Sequence, residues 1–424
     1  MPTIRLPYPH TGQQTVLRQM RRLSWLAAGR RWRKTTLGVG VAVTGPDPEN
    51  PAMMGALQGK TILWGAPTFD QVRIAWAEMR HGAAGVVSFT QQRMMAEFPT
   101  GGKVIFRSLD DPDNARGHTA DGVVIDEVEA VKPSAWYEVV RPMLIDTGGW
   151  ALLMGTPLGR NWFHHEWHLA LDRDDSMCWQ IPTVGCEIVD EGRRLVRKPH
   201  PLENPEIPFE EIEGIFQTST LRTFRQEILA EFVEGEGAIF RNIKACLHKD
   251  HDTPADHEGH QMVMGVDWGQ SNDFTVLSVG CRTCRKEVAL DRFHGIDYHL
   301  QRGRLVALAD KWHVSEILAE SNAMGQPIID EMQYGGIPVS SFDTTAASKP
   351  PLIESLALCF EREEGTFIDD AVATAELEAY ERKVSATTGR PSFSAPEGVH
   401  DDTVMARALM WQLQYVRGPW MTLL

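Results

Sequence analysis

Short, unbroken apolar runs recur through the first part of the chain: Leu23 to Ala27, Thr61-Ile62-Leu63-Trp64, Lys103-Val104-Ile105-Phe106, Gly122 to Ile125 and Trp150 to Met154. Runs this short, bounded by turn residues, read as strands buried on both faces. Helical spacing lies between them, from about Gln13 to Arg22 and again from near Lys34. Apolar strands interleaved with helices predict a mainly parallel sheet covered on both sides. From Asp172 to about Gly259 the pattern weakens around Pro182, Pro199, Pro201, Pro205 and Pro208, with helical spacing only from Leu221 to Phe232. That stretch reads as a lid or linker, with a boundary near Glu234-Gly235-Glu236-Gly237.

Beyond it the pattern resumes. Gln261 to Val266, Phe274 to Val279 and Glu287 to Phe293 read as three consecutive strands. A helix from about Tyr298 to Trp312, a strand ending at Glu320 and a last helix from about Asp402 to Val416 complete a second α/β unit. The expected division is a first domain over 1–200, a lid or linker over 201–236 and a second domain over 237–424.

Composition agrees with this picture. The chain's 424 residues are about three times a typical domain length, and 42% hydrophobic with 23% charged residues is ordinary for a globular protein. The apolar runs are too short to span a bilayer and the N-terminus lacks the apolar core of a signal peptide, so no membrane partner and a cytoplasmic location are expected. Six cysteines form no disulfide-like framework. Cys281-Arg282-Thr283-Cys284 is a single CxxC without a second half, and His248, His251, His257 and His260 lie in a polar linker, so the spacing speaks against zinc. The net charge of −15 disfavours nucleic acid only superficially. Residues 1–40 carry Arg5, Arg18, Arg21, Arg22, Arg30, Arg31, Arg33 and Lys34 and no acid, enough for one basic face.

Candidate chemistry divides along the same line. In the first domain Gly29-Arg30-Arg31-Trp32-Arg33-Lys34-Thr35 fits the frame of a phosphate-binding loop, in which backbone N–H groups surround the phosphates, a Lys reaches the β/γ oxygens and a hydroxyl meets Mg²⁺. Thr36 follows as a further nucleotide-binding candidate, and Arg33 replaces the usual Gly. Val123-Val124-Ile125 delivers Asp126 and Glu127 to a strand end, where Asp126 would hold Mg²⁺ through water and Glu127 would polarise the attacking water. Gly155-Thr156-Pro157 ends the next strand as a candidate γ-phosphate sensor, and Arg116 is a candidate arginine finger.

In the second domain, Asp267 follows a strand, Glu320 ends another and Asp401-Asp402 open the last helix, with Asp273 nearby. Carboxylates converging from distant segments are what two-metal phosphodiester cleavage requires, and hard oxygen ligands suit Mg²⁺ or Mn²⁺. The order strand-Asp, strand-Glu, Asp-helix points to an RNase H-like fold. The basic tip Arg282, Arg285 and Lys286 is a candidate phosphate contact beside this site.

Together these residues resemble the large terminase subunits of tailed bacteriophages. The resemblance rests on Ala28-Gly29-Arg30-Arg31-Trp32 before Lys34-Thr35, Ala66-Pro67-Thr68, Asn114-Ala115-Arg116-Gly117, Val124-Ile125-Asp126-Glu127 and Gly155-Thr156-Pro157-Leu158-Gly159. Asn204-Pro205, Phe224-Arg225-Gln226-Glu227 with Phe232, Gly265-Val266-Asp267-Trp268-Gly269 and His400-Asp401-Asp402 extend it over nearly the whole chain. It implies an N-terminal P-loop ATPase domain of the ASCE/RecA-like kind, with a mainly parallel sheet, and a C-terminal RNase H-like nuclease domain.

By that resemblance Lys34, Thr35, Asp126 and Glu127 form an ATPase centre with Arg116 as a trans-acting finger. Gln13 or Gln14 contacts adenine, and Asp267, Glu320, Asp402 and Asp401 carry the nuclease metals. The implied cofactors are ATP and Mg²⁺, with Mn²⁺ able to replace it at the nuclease site. The implied partners are double-stranded DNA, portal protein, small terminase subunit and procapsid, with a homo-oligomeric ring on the portal, a possible monomer in isolation and at most a short C-terminal docking tail. The implied location is the cytoplasm of an infected bacterial host. The competing expectation is a standalone RNase H-like nuclease or recombinase with a nucleotide-binding regulatory domain, which Arg33 favours.

Overall fold

A computed structural model of the chain describes residues 3–117, 119–233, 237–269, 274–321, 325–384, 391–394 and 400–415. These fall into two compact units, Met1–Gly235 with Val384–Arg390 and Glu236–Lys383 with Pro391–Leu424, each with its own sheet and core. Among the described residues, no helix is long and apolar enough to cross a membrane.

The first unit runs α1 (Thr11–Gln19), β1 (Leu23–Ala28), α2 (Lys34–Thr44), β2 (Thr61–Ala66), α3 (Phe69–Ala83), β3 (Ser88–Thr90), β4 (Met95–Glu97), β5 (Lys103–Ser108), β6 (Gly122–Asp126), α4 (Arg141–Thr147), β7 (Trp150–Gly155), α5 (Trp162–Leu171) and β8 (Ser176–Ile181). The strand order is β3-β4-β5-β2-β6-β7-β1-β8, antiparallel from β3 to β5 and parallel from β5 to β8. Every residue of β1, β6 and β7 is buried, as strands covered on both faces must be. Side chains alternate accordingly. Leu26 and Ala28 of β1 pack with α2 and α3, whereas Leu23, Trp25 and Ala27 pack with α4, α5 and the helical turn before α4.

Two details differ from the sequence reading. The first helix starts at Thr11 and ends at Gln19, because His10 and Gln13 cap each other reciprocally and the backbone turns extended at Met20. The proline-rich stretch also holds more than a linker. β8 joins the main sheet beside β1. A hairpin of β9 (Cys186–Val189) and β10 (Arg194–Arg197) packs with α6 (Phe209–Thr218) and α7 (Leu221–Glu227) around Val184, Leu195, Ile212, Phe216, Phe224 and Ile228.

The second unit runs β11 (Gly237–Ala238), β12 (Leu247–His248), β13 (Met262–Asp267), β14 (Thr275–Cys281), β15 (Lys286–Phe293), α8 (Tyr298–Trp312), β16 (Val314–Glu320), α9 (Gly325–Tyr334), β17 (Val339–Phe342), α10 (Lys349–Arg362), β18 (Phe367–Ile368), α11 (Ala371–Ala379), β19 (Glu381–Val384), β20 (Pro391–Ser394) and α12 (Asp402–Tyr415). Its main sheet is ordered β15-β14-β13-β16-β17, with β13 to β15 antiparallel and β16 and β17 added in parallel. This is an RNase H-like arrangement. α10 and α12 cover one face of the sheet, α8 and α9 the other. Gly265 in mid-β13 lets α12 lie directly on the strand: a Cβ there would sit 2.1 Å from the Ala406 carbonyl oxygen and 2.3 Å from the Met410 nitrogen. The start of α12 is thereby drawn towards the end of β13.

Two candidate active sites

The first site forms where three parallel strands end side by side. β7 lies between β1 and β6, with Ala27 level with Gly155 and Asp126 level with Met154, so the loop after β1, the acids after β6 and Thr156 converge. Lys34, buried at the start of α2, turns its ammonium back on the loop. It donates to the carbonyls of Ala28 (3.0 Å) and Gly29 (3.4 Å) and to Thr156 Oγ1 (2.8 Å). Thr35 Oγ1 donates to Asp126 Oδ2 (2.6 Å), and the Glu127 N–H to Asp126 Oδ1 (3.1 Å). Thr36 follows, half-buried, on the first turn of α2.

The acids of this site differ in charge state. Burial, and then the Glu127 charge, push Asp126 up to about 6. For Glu127 burial pulls upward, but a hydrogen bond with Glu129 and the charges of Lys34 and Arg30 outweigh it, so the net shift is downward. Glu129 is raised well above the ordinary range by burial and by Glu127. The pair therefore holds one proton, on Glu129, and leaves Glu127 ionised as a proton acceptor. Gly155 makes room for this second glutamate, since a Cβ there would meet Glu129 Oε2 at 1.9 Å. Spacing alone had not singled out Glu129.

Arg31 and Arg33 both adopt left-handed backbone, with φ of 64° and 67°, where side chains cost about 1–2 kcal/mol each. Tethers hold the loop in this shape from behind. Thr183 Oγ1 donates to the Arg30 carbonyl (2.6 Å), Asn204 Nδ2 to that of Arg31 (2.9 Å) and Gln13 Nε2 to that of Arg33 (2.9 Å). His10 Nε2 meets the Trp32 carbonyl (3.2 Å), and burial lowers its pKa, which keeps the ring neutral. Arg30 pairs with Glu227, and Arg33 with Glu206 (2.6 Å). Arg31, within this loop, has an exposed side chain.

Gln13 is buried and uses both ends of its amide inside the chain, while Gln14 donates to the Pro9 carbonyl (2.8 Å). Arg116 is exposed and pairs with Asp113 (2.8 Å) and Glu138 (3.6 Å), not with the residues around Lys34.

The second site is wholly acidic at its centre. Asp267 ends β13, Glu320 ends the parallel neighbour β16, and Asp402 opens α12. Asp267 is buried and raised well above the ordinary carboxylate range, first by burial, then by a hydrogen bond and the charge of Glu320, then by Asp402 and Asp401. The Phe274 N–H donates to Asp402 Oδ2 (3.3 Å), and His400 Nδ1 lies 3.7 Å from the same oxygen. Lys349 donates to Asp401 Oδ2 (3.1 Å). The Tyr380 hydroxyl is raised by burial and by Asp401. Lys349 and Tyr380 come from distant helical segments, and no local motif announced them. Asp273 lies outside the described residues. Arg282, Arg285 and Lys286 are each engaged within the unit, by Glu316, by Glu364 and by Asp250 with Asp252.

Fold and sites define a chain that joins a P-loop-type α/β unit to an RNase H-like unit with a carboxylate cluster. The chain is a homologue of the large terminase subunits of bacteriophages. It is 29% identical over 331 residues to the large terminase subunit of Thermus virus P23-45, covering 72% of this chain and 64% of that protein. It is 24% identical over 365 residues to that of Escherichia phage T5, covering 80% and 76%. Among solved structures, the large terminase of a thermophilic bacteriophage superimposes with a TM-score of 0.57 at 13% identity, covering 96% of this chain and 99% of that one. No family model matches the chain. The match to the P23-45 relative thus spans under two thirds of that protein's length.

Proposed function

We propose that the chain is the motor and nuclease of viral DNA packaging: it hydrolyses ATP to drive double-stranded DNA into a procapsid and cuts concatemeric DNA with metal ions. The observation that carries this reading is the completeness of both centres in one chain. Lys34, Thr35, Asp126, Glu127 and Thr156 are mutually in reach in the first, and Asp267, Glu320, Asp402 and Asp401 cluster in the second.

The residues fit the groups they would hold. In the ATPase centre an ammonium resting on carbonyls and a hydroxyl is a ready partner for phosphate oxygens, with Gly29, Arg30, Arg31 and Thr36 around it. Thr35 and Asp126 offer hard oxygens for Mg²⁺. The large terminase of the thermophilic bacteriophage compared above has been solved in complex with ADP, which supports nucleotide binding by this fold. Glu127 would accept the proton of the attacking water, and Glu129 would keep it ionised.

In the nuclease centre the mutual repulsion around Asp267 is what a cation relieves, and an all-oxygen donor set suits Mg²⁺ or Mn²⁺. When bound, such ions supply activated water and stabilise the leaving oxygen. Arg116, which reaches acids of its own unit here, would act as a finger towards a neighbouring copy. We assign the ATPase domain to 1–200, a lid or linker to 201–236 and the nuclease domain to 237–424. The proposed partners are double-stranded DNA, portal protein, small terminase subunit and procapsid, with a homo-oligomeric ring on the portal, in the cytoplasm of an infected bacterium.

Two assays on the full chain test the reading: plasmid cleavage with Mg²⁺ or Mn²⁺, and ATP hydrolysis with and without double-stranded DNA. Metal-dependent cutting together with DNA-stimulated hydrolysis is expected. Cutting with no DNA-stimulated hydrolysis would replace the motor with a nuclease regulated by nucleotide.

A further inference from the structure

The fold brings together four side chains that sequence spacing kept apart. His257 and His260 lie on the loop before β13, Cys281 ends β14 and Cys284 lies in the turn between β14 and β15; their nitrogen and sulfur atoms all lie within 4.8 Å of one another. Cys281 Sγ is 3.4 Å from His260 Nδ1, and Cys284 Sγ is 3.4 Å from His257 Nδ1 and 3.7 Å from His260 Nδ1. A tetrahedral zinc ion with two thiolates and two imidazoles imposes donor separations of about 3.3–3.8 Å. The two sulfurs, 3.0 Å apart, would need to part by only about 0.8 Å.

We propose that His257, His260, Cys281 and Cys284 form a structural Zn²⁺ site. The surroundings of His257 support it independently. Its Nε2 lies 2.9 Å from the Asp252 carboxylate, which fixes the proton on that nitrogen and turns the lone pair of Nδ1 towards Cys284. Asp252 is in turn gripped by Lys286 (2.9 Å). A carboxylate behind the imidazole is the usual support of a zinc-bound histidine.

The position explains what the ion would do. Between 249 and 261 His257 is the single buried residue, so this loop has no apolar anchor to offset the entropy of ordering it. Zinc would pin it to the β14–β15 turn. The site is also separate from the nuclease carboxylates. Cys281 pairs with Met262 at the start of β13 while Asp267 ends that strand, five residue steps or about 17 Å away. Four protein ligands close the coordination sphere, so the site is structural rather than catalytic. The CxxC lacked a second pair only in sequence; the HxxH supplies it in space.

The test is metal analysis of the full-length protein, purified without chelator, beside Cys284→Ser and His260→Ala, both at exposed positions that a folded chain tolerates. About one zinc per chain is expected, falling to background in both variants. Cobalt exchange should produce a thiolate-to-metal charge-transfer band that Cys284→Ser removes; nuclease carboxylates cannot give that band. Zinc removal should lower the melting midpoint of the second unit by roughly 5 °C and open the 249–260 loop to protease. Less than a tenth of an equivalent of metal after growth in zinc-supplemented medium, metal content unchanged in both variants, or a Cys281–Cys284 disulfide in the freshly purified protein would each overturn the proposal.

Discussion

The two acid centres solve opposite problems with similar parts. In the first, Asp126, Glu127 and Glu129 lie around an ammonium, Lys34, and the shared proton of the glutamate pair removes one more charge. In the second, Asp267 faces Glu320, Asp402 and Asp401, and the cation Lys349 bonds to Asp401. Burial raises Asp126 and Asp267 alike, but the next cause for Asp267 is acidic at every rank, whereas Thr35 and Lys34 pull Asp126 back down. A centre that carries its own cation is prepared for an anionic ligand accompanied by metal. A centre of carboxylates alone is prepared for cations.

The sharpest way to break this comparison is Asp267→Ala. Metal-dependent plasmid cleavage should fall by roughly 10⁴-fold while ATP hydrolysis is unchanged. Asp267→Asn should abolish cleavage equally but raise the metal-free melting midpoint of the second unit at neutral pH, because folding no longer has to take up a proton on a carboxyl that burial and its acidic neighbours keep from ionising. A metal-free midpoint that falls instead would mean the cluster is not strained by repulsion.

The counterpart in the first unit is Glu127→Gln, for which ATP hydrolysis should drop roughly 10³-fold with nucleotide binding retained. Glu129→Gln is the finer probe. It leaves an amide beside Glu127 in place of a shared proton, so hydrolysis should survive with a changed pH profile. Loss as complete as in Glu127→Gln would make Glu129 the proton acceptor.

Much of this chemistry was legible in the sequence, for one physical reason. Asp126 and Asp267 end strands buried on both faces, which read as unbroken apolar runs with a charge at the end, and Glu320 follows the buried run Ile317-Leu318-Ala319 of its strand. Lys34-Thr35 was legible as a pair, but Arg33 looked like a defect in the loop. Gln13 holds the Arg33 carbonyl from 20 residues away and Asn204 the Arg31 carbonyl from 173, so no local pattern could report the remedy. Glu129, Lys349 and Tyr380 were missed because what brings them to the sites is tertiary packing. β8 was lost among prolines, and Cys281-Cys284 reads as a CxxC without its second half because His257 and His260, in a polar linker by sequence, meet it only across the fold.

A charge pair away from either centre extends the contrast. Arg407 and Glu287 are fully buried and bonded at 2.8 Å, with Glu287 also accepting from Ser278 Oγ (2.7 Å) and the Ile368 N–H (2.9 Å). Here opposite charges face each other under the sheet, so removing one leaves the other uncompensated. Glu287→Ala should destabilise the second unit by about 3 kcal/mol, measured by denaturant unfolding, and Arg407→Met with Glu287→Met should recover part of that loss. A double variant no better than the single one would mean that the partners on Ser278 and Ile368 carry most of the energy.

The smallest effect tests the first centre through pH. Asp126 titrates at about 6 in the folded chain, against 3.8 for the free side chain. A carboxyl raised on folding contributes stability that is fully present below its unfolded pKa and lost as pH rises through the folded one. In protein free of nucleotide and metal, Asp126→Asn should therefore be more stable than the unmutated chain at pH 8, by about 1–2 kcal/mol once the weakened Thr35 hydrogen bond is allowed for. The advantage should shrink through pH 6 and vanish near pH 4. Added Mg²⁺ with nucleotide should reverse the order at pH 8, because the bound cation stabilises the carboxylate that burial opposes. A difference between the two proteins that stays constant from pH 4 to 8 would mean that Asp126 remains ionised throughout. Lys34 and Thr35 would then already neutralise it, and the first centre would need no metal to settle its charge.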